Sequence, residues 1–455
     1  MKESDIYTAN KRNRIALQGK SGIRISLYTG MLEQGFPDRW STLHFYHAFP
    51  GDRIHISDSR YEYAIATYSL EREDTWLYTY SYQKEENWST YNKDLTPQSY
   101  RQEDYIFAVE CYFKVNLRQC DGKAFAEEQE ELNKKVEFLS EGAPYKEKEF
   151  FREEISKTVE EAKVFIDYQE SPTMGFLLLT DSHYVVNGTW DDTVHNMTAV
   201  AEQMKLDGII HLGDLTDGMV SREVTTDYVN KMMEDMRSIG LPLYLILGNH
   251  DSNYFANNPE RFTEEEQYEL YLKEINKQDT KLYYYIDMEW IRVRFIFLDS
   301  FDYREKVRYG FSDDEVVWFQ SVLKETPSEY RVLIFSHVPP LAEIHYWSYE
   351  IRNGDQMMEL AEEYAGTASG KVLGWIHGHN HAEQVYRKRL FPIISLGCNK
   401  CEYFPDKKPE GAVARRRYQN DVTQDLWDIL ILQSDTDSLK FIRFGAGESY
   451  HVDNG

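Results

Sequence analysis

The sequence predicts an α/β protein carried behind a separate antiparallel β module, and three observations point that way. From Met174 onward, strand-like apolar runs alternate with helix-like patterns, the arrangement of a largely parallel sheet covered by helices. Up to about residue 122, apolar and polar residues instead alternate with period two between Gly, Pro, Asn and Asp. Finally, five short polar clusters each stand where an apolar run ends, and ligands collect at the carboxyl ends of strands in α/β sheets.

The front module spans residues 1–122. Ile23 to Leu27, Arg53 to Ser57 and Tyr105 to Val115 alternate as strands, and together they read as an antiparallel β-sandwich of about a hundred residues. Phe107, Val109, Cys111, Phe113 and Val115 form its inward side. Tyr61, Tyr63, Tyr68, Trp76, Tyr78, Tyr80, Tyr82, Trp88 and Tyr91 crowd one stretch. Exposed, such rings stack on a glycan or anchor a partner protein. Inside, they fill a half-buried sheet, as their strand propensity favours. The module loosely resembles accessory β-sandwiches attached to some bacterial and phage hydrolases.

Residues 123–171 are charged and read as a helical connector. One helix is expected near Leu132 to Leu139, broken by Gly142-Ala143-Pro144. A second carries the stripe Phe151, Ile155, Val159, Ala162 and Ile166, which fits a helix lying along a domain edge. A partner-binding coiled coil is the alternative, although the repeat is short and unregistered.

In residues 172–455, helical patterns cover Asp191 to Lys205 and Val224 to Ile239. Ser312-Asp313-Asp314-Glu315 is a capping box opening a helix with Val316, Phe319, Val322 and Leu323 inward. Asp428 to Leu432 and Leu439 to Phe444 read as strands.

The polar clusters carry the chemistry. They are Asp181-Ser182-His183, Gly213-Asp214-Leu215-Thr216-Asp217, Gly248-Asn249-His250-Asp251, Ser336-His337 and His377-Gly378-His379-Asn380-His381. Gathered at one sheet edge, these carboxylates and imidazoles are what a site for two borderline cations needs. In order and spacing they resemble the full signature of the calcineurin-like metallophosphoesterases, over roughly residues 172 to 400.

The resemblance implies a four-layer αββα sandwich and hydrolysis of a phosphate ester by a hydroxide activated between two divalent or trivalent metal ions, Mn, Fe, Zn or Co. It assigns Asp214 as the bridge, Asp181, His183 and His381 to the first metal, and Asn249, His337 and His379 to the second. Asn249 is uncharged, so the second metal is expected to be the stronger Lewis acid. His379 and His381 lie two apart, which puts both on one face of an extended segment unless a turn separates them. His250 is expected to face the substrate and protonate the leaving oxygen. Asp217 is expected to orient His250 by accepting its other ring proton. Tyr184 and Asn187 are candidate substrate contacts, Asp251 and Asp299 candidate partners of ligand histidines, and His345, Tyr346 and Trp347 a candidate pocket wall.

Departures from other branches bear on substrate. Phosphoprotein phosphatases carry an Arg where this chain has Gly218, and purple acid phosphatases a Tyr where it has Asp217. The G-N-H-D form is more similar to the branch with cyclic-nucleotide phosphodiesterases, so a small or surface-linked phosphodiester is expected. The alternatives are a phosphomonoesterase, a nuclease of the same fold, and a protein that binds a glycan or protein through its front module.

Composition sets outer limits. A chain of 455 residues exceeds a single core, and 42% hydrophobic with 28% charged residues is ordinary for a globular protein. With 51 Lys+Arg against 77 Asp+Glu the net charge is −26, which repels a phosphate backbone and disfavours nucleic acid as a partner. No apolar stretch approaches the roughly 20 residues of a transmembrane helix. The first residues lack an apolar signal core, so a cytoplasmic location is expected. Four cysteines make no disulfide framework, and Cys398-Asn399-Lys400-Cys401 reads as a loop after the Phe391 to Leu396 strand, with a redox or metal role as the alternative.

Overall fold

The computed structural model describes residues 13–26, 32–72, 89–91, 100–126, 128–140, 148–167, 169–184, 188–255 and 258–453. They fall into two compact units, one ending at Lys146 and the other spanning Glu147–Gly455.

In the first unit, one sheet orders the strands Asn13–Ala16, Val136–Ser140, Arg53–Ile56 and Tyr105–Ile106. The other orders Gly19–Ile25, Leu32–Thr42, Cys111–Gln119, Tyr61–Arg72 and Ser89–Tyr91, with Tyr46–Ala48 also on Cys111–Gln119. Every pairing in both is antiparallel. Trp40, Ile54, Tyr63, Phe107, Phe113 and Phe138, from both sheets and the loop before Cys111, share one buried cluster. Tyr61, Tyr63 and Tyr68 are buried, so these three rings fill the sheet rather than face a ligand. Trp76, Tyr78, Tyr80, Tyr82 and Trp88 lie outside the described residues. Val109 departs from the inward row at 66% exposure, because the chain bends there and the strand starts only at Cys111.

The helix expected near Leu132 to Leu139 is corrected. Only Gln129–Asn133 is helical, and Val136–Ser140 is a strand between Asn13–Ala16 and Arg53–Ile56. Val136 and Phe138 are two apart and both point into the core, a period-two signal that the short apolar run concealed. Gly142-Ala143-Pro144 lies outside the described residues.

The second unit holds two six-stranded sheets with mixed strand directions, an α/β architecture. The first orders Leu243–Leu245, Gly208–His211, Thr173–Leu179, Leu426–Gln433, Ser438–Gly445 and Tyr450–Asp453. Its first three strands are parallel, and the three tail strands extend it antiparallel, Leu426–Gln433 lying beside Thr173–Leu179. The second orders Tyr284–Met288, Val293–Phe297, Arg331–Ser336, Val372–His377, Ile393–Ser395 and Gln384–Tyr386, with its four middle strands parallel. The sheets meet where the Phe176 ring lies 5.2 Å from Phe295 and where Tyr284 donates its hydroxyl to the Leu245 carbonyl.

Helices cover the outer sides. The stripe of Arg152–Ile166 is used within this unit: Ile155, Val159 and Ala162 are buried, Phe151 lies 5.8 Å from Phe444, and Thr158 donates to the Arg443 carbonyl. Asp313–Glu325 and Gly354–Ala365 share a buried cluster with strands of the second sheet. Ser312 caps its helix through the Glu315 N–H, but the box is only half formed. The Glu315 carboxylate turns away and accepts from the Asp299 N–H instead. Among the described residues, no helix is long and apolar enough to cross a membrane.

Candidate metal centre

Register brings the polar clusters to one edge. Leu179, His211 and Leu245 lie in one row of the first sheet, and Ser336, His377 and Ser395 in one row of the second. The residues just beyond those rows carry Asp181, Asp214, Asn249, His337, His379 and His381. A sixth strand end adds the loop Cys398 to Glu402, which the sequence reading treated as plain loop.

The backbone turns sharply to do this. Asp181, His183, Asp214, His379 and His381 all have positive φ, between 41° and 66°, a conformation costing roughly 1–2 kcal/mol per non-glycine residue. Such strain persists where the surroundings fix the chain, as functional sites do. Gly248 explains its motif sterically, since a Cβ there would lie 2.1 Å from Asp214 Oδ1.

Each carboxylate divides its oxygens between support and site. Asp181 Oδ2 accepts from Thr180 Oγ1 and the His379 N–H, leaving Oδ1 toward the centre. Asp214 Oδ1 accepts from the His250 N–H, and Oδ2 lies 3.1 Å from His337 Nε2, 3.7 Å from His183 Nε2 and 3.8 Å from His250 Nε2. Two donor sets result, Asp181 with His183 and His381, and Asp214 with His337 and His379. The turn through Asn380 therefore sends His379 and His381 to different sets. Asn249 Oδ1 is buried beside its neighbours in the third cluster.

The donor chemistry fits cations. His183 Nε2 and His381 Nε2 face each other at 3.1 Å, and Asp181 Oδ1 is 3.1 Å from His381 Nε2. Donors that share one cation at about 2.1 Å stand roughly 3–3.5 Å apart. Asp181 Oδ1, Asn249 Oδ1, His337 Nε2 and His379 Nε2 are buried without a hydrogen-bond partner among the described residues. An unsatisfied buried polar group costs about 1–3 kcal/mol, and a cation is the partner these acceptors share. A further grouping, His183 with Asp217 and His250, is opposed by the Lys400 ammonium, 3.3 Å from Asp217 Oδ1.

Electrostatics follow from burial. Burial opposes the charge on Asp181, yet the imidazoles of His381 and His337 hold its carboxyl down at about 2. Burial likewise opposes the charge on His337, yet Asp214 and Asp181 raise it to about 9. Burial pushes His250 down to about 4 against the pull of Asp214.

Several expected roles change. His250 Nδ1 does rest on Asp217, but on its backbone carbonyl at 2.6 Å. The Asp217 carboxylate faces His183 Nδ1 at 3.1 Å, as an ion-pair contact rather than an aligned hydrogen bond. The His250 ring stacks on Phe255 at 4.0 Å. Tyr184 is buried and packs edge-on to Tyr228 at 5.0 Å, while Asn187 lies outside the described residues.

Asp251 holds no histidine: its carboxylate accepts from the backbone N–H groups of Asp214, Leu215 and Gly248, tying two loops together. Burial, then the charge of Asp214, raises it to about 7. Asp299 sits with Glu315 and holds no histidine either. His345 stacks on His379 at 4.8 Å and Trp347 approaches the same ring at 6.5 Å, so both line that side of the centre, joined by Tyr309 and Phe404.

The sequence reading missed Glu402 and Lys400. Glu402 Oε1 accepts from His381 Nδ1, and Glu402 and Lys400 are both buried on the sixth strand-end loop. The signal was available, since this loop follows a parallel strand as the five recognised clusters do.

A probable glycerophosphodiester phosphodiesterase, GpdQ, of Arcobacter nitrofigilis is 29% identical over 180 residues, 39% of this chain and 57% of that relative, so the match spans little more than half its length. A dimetal phosphatase from Danio rerio superposes with a TM-score of 0.46 at 15% identity, covering 62% of this chain and all of that one. GAP50, the anchor in the inner membrane complex of Plasmodium, superposes with a TM-score of 0.39 at 12% identity, covering 59% and 84%. Residues 174–383 match the family described as calcineurin-like phosphoesterase.

Proposed function

We propose that the chain is a metal-dependent phosphoesterase acting by preference on phosphodiesters. The observation that carries this reading is the pair of donor sets, Asp181 with His183 and His381 and Asp214 with His337 and His379, with four buried acceptors left without hydrogen-bond partners among the described residues. Asp181, His183 and His381 would hold one ion, Asn249, His337 and His379 the other, with Asp214 between them. Bound there, the pair would supply Lewis acidity toward phosphoryl oxygens and an acidified water.

The chain's own residues do the rest. His250, its Nδ1–H held by the Asp217 carbonyl and its ring clamped on Phe255, presents Nε2 beside Asp214 for the leaving oxygen. His345 and Trp347 wall the His379 side and limit water around the reacting phosphorus.

Diesters are favoured over monoesters by the cations. Lys400 is committed to Asp217, and Lys408 donates to the Asn380 carbonyl. A Cβ on Gly218 would lie 2.3 Å from the His250 carbonyl oxygen, with φ at +63°, so the arginine of phosphoprotein phosphatases has no room here. The net charge of −26 weighs against a nuclease.

In this reading residues 172–455 form a four-layer αββα catalytic domain. Residues 1–122, together with the strand Val136–Ser140, form an accessory β-sandwich, and a glycan or protein is its candidate ligand. The relative's name, a glycerophosphodiester phosphodiesterase, is in keeping with a small diester substrate.

The test is turnover of bis-p-nitrophenyl phosphate and p-nitrophenyl phosphate by metal-stripped, Mn²⁺-reloaded protein, with Asp214→Asn as the blank. Faster diester turnover, lost in the variant, is expected. Monoester preference would make it a phosphatase, and equal rates in wild type and variant would refute the site.

A further inference from the structure

We propose that Asp217, Lys400 and Glu402 form a buried carboxylate–ammonium–carboxylate brace that sets the affinity of one metal position, through His183 and His381, and leaves the other alone. The proposal rests on the dimetal reading above. His381 Nδ1 donates to Glu402 Oε1, and His183 Nδ1 lies 3.1 Å from Asp217 Oδ1. Lys400 Nζ stands between the two acids, 3.3 Å from Asp217 Oδ1 and 3.9 Å from Glu402 Oε2. All three side chains are less than a tenth exposed.

Glu402 thereby holds the His381 proton on Nδ1, and both imidazoles turn Nε2 toward Asp181 Oδ1, at 3.8 Å for His183 and 3.1 Å for His381. A carboxylate behind a ligating imidazole also raises its basicity. Two such acids beside Asp181 and Asp214 would pile four negative charges into a water-poor site, and Lys400 offsets one of them.

The brace is anchored to the strand end it serves. Asn399 N–H donates to the Thr180 carbonyl at 2.8 Å and Lys400 N–H to the Asp181 carbonyl at 3.1 Å. From the other side, the Arg417 guanidinium gathers the carbonyls of Cys398, Asn399 and Lys400. Cys398 lies within the same grouping as His381 and Glu402, but its thiol donates to the Lys400 carbonyl and so supports the loop. The second set has no such acid on His337, whose Nδ1 donates to the neutral Leu212 carbonyl at 2.7 Å.

The experiment is a Mn²⁺ titration of chelator-stripped full-length protein against a chromophoric chelator, for wild type and Glu402→Gln, with the melting temperature of the metal-free forms alongside. Glu402→Gln is expected to weaken one of two affinities about 10–100-fold and to leave the other unchanged. Unchanged affinities would overturn the brace, as would equal weakening of both, which would make Glu402 structural. Glu402→Asp, which keeps the charge, should show a smaller loss at the same position, and serves if the glutamine variant does not fold. If wild type takes up no more Mn²⁺ than Asp214→Asn, the dimetal reading itself fails, and the brace falls with it.

Discussion

His381 rests its Nδ1 on the Glu402 carboxylate, while His337 rests its Nδ1 on the Leu212 carbonyl. The same contrast runs through both donor sets. The first has Asp181 as its own acid and Asp217 and Glu402 behind its imidazoles. The second has Asp214, the uncharged amide of Asn249, and neutral backbone behind His337. What the difference teaches is a division of labour: dense negative charge favours tight retention of a cation, and sparse charge leaves a cation more electrophilic toward substrate.

The largest effect tests what the two sets share. Asp214→Asn removes a carboxylate oxygen 3.1 Å from His337 and 3.7 Å from His183, one imidazole of each set, so both metal affinities and turnover should collapse together, the latter by more than about 10³-fold, since these groups act as a unit. Retention of one metal at wild-type affinity would show that Asp214 serves a single position, and the symmetry of the bridge would be broken.

Next comes His250, which belongs to neither set. His250→Ala should cost about 10²–10³-fold on an alkyl diester and much less on a p-nitrophenyl diester, whose leaving group needs no proton. Wild-type turnover of the alkyl substrate by this variant would remove the acid role and leave His250 as packing for Phe255.

A third change reduces the contrast itself. Asn249→Asp gives the second set a further acid, and a unit charge about 4 Å away is worth up to ~4 kcal/mol at an effective dielectric of 20. The weaker Mn²⁺ affinity should therefore tighten by at least about tenfold while turnover falls. If affinity tightens and turnover rises, the link between sparse charge and electrophilicity is wrong.

Much of this centre was legible in the sequence, because its donors follow the ends of branched apolar strands in a fixed order. Asp181, His183, Asp214, Asn249, His337, His379 and His381 needed only that pattern. Their partners were harder to read. Glu402 and Lys400 sit on a loop whose C-x-x-C drew attention to the wrong side chains, and their roles depend on distances across the sheet edge. Asp217 was placed beside His250, but which of its oxygens does the work depends on a turn that residue types do not encode. Asp251 shows the same limit: next to a ligand it looked like a histidine's partner, and it binds three backbone N–H groups instead. In the front unit, Val136–Ser140 was taken for helix because two core residues are too few to separate period two from 3.6.

The smallest effect follows from protons standing where cations would sit. In the metal-free protein, burial disfavours the charge on His337, but Asp214 and Asp181 lift it from 6.5 to about 9. A base with a raised value in the folded state contributes stability that is fully present below its unfolded value and is lost as pH rises through the folded one. Metal-free protein should therefore lose melting temperature between about pH 6.5 and 9, on the scale of 2–4 °C for each ~1 kcal/mol in a domain of this size. Saturation with Mn²⁺ should flatten that slope, because the cation replaces the proton and its uptake releases one. His381 is also raised well above its ordinary value: burial opposes this, and Glu402, then Asp181, overcome it. Glu402→Gln should thus remove the first set's share of the slope and keep that of His337. A slope unchanged by Glu402→Gln would mean that the first set holds no extra proton, and that the two positions differ less than their supports suggest.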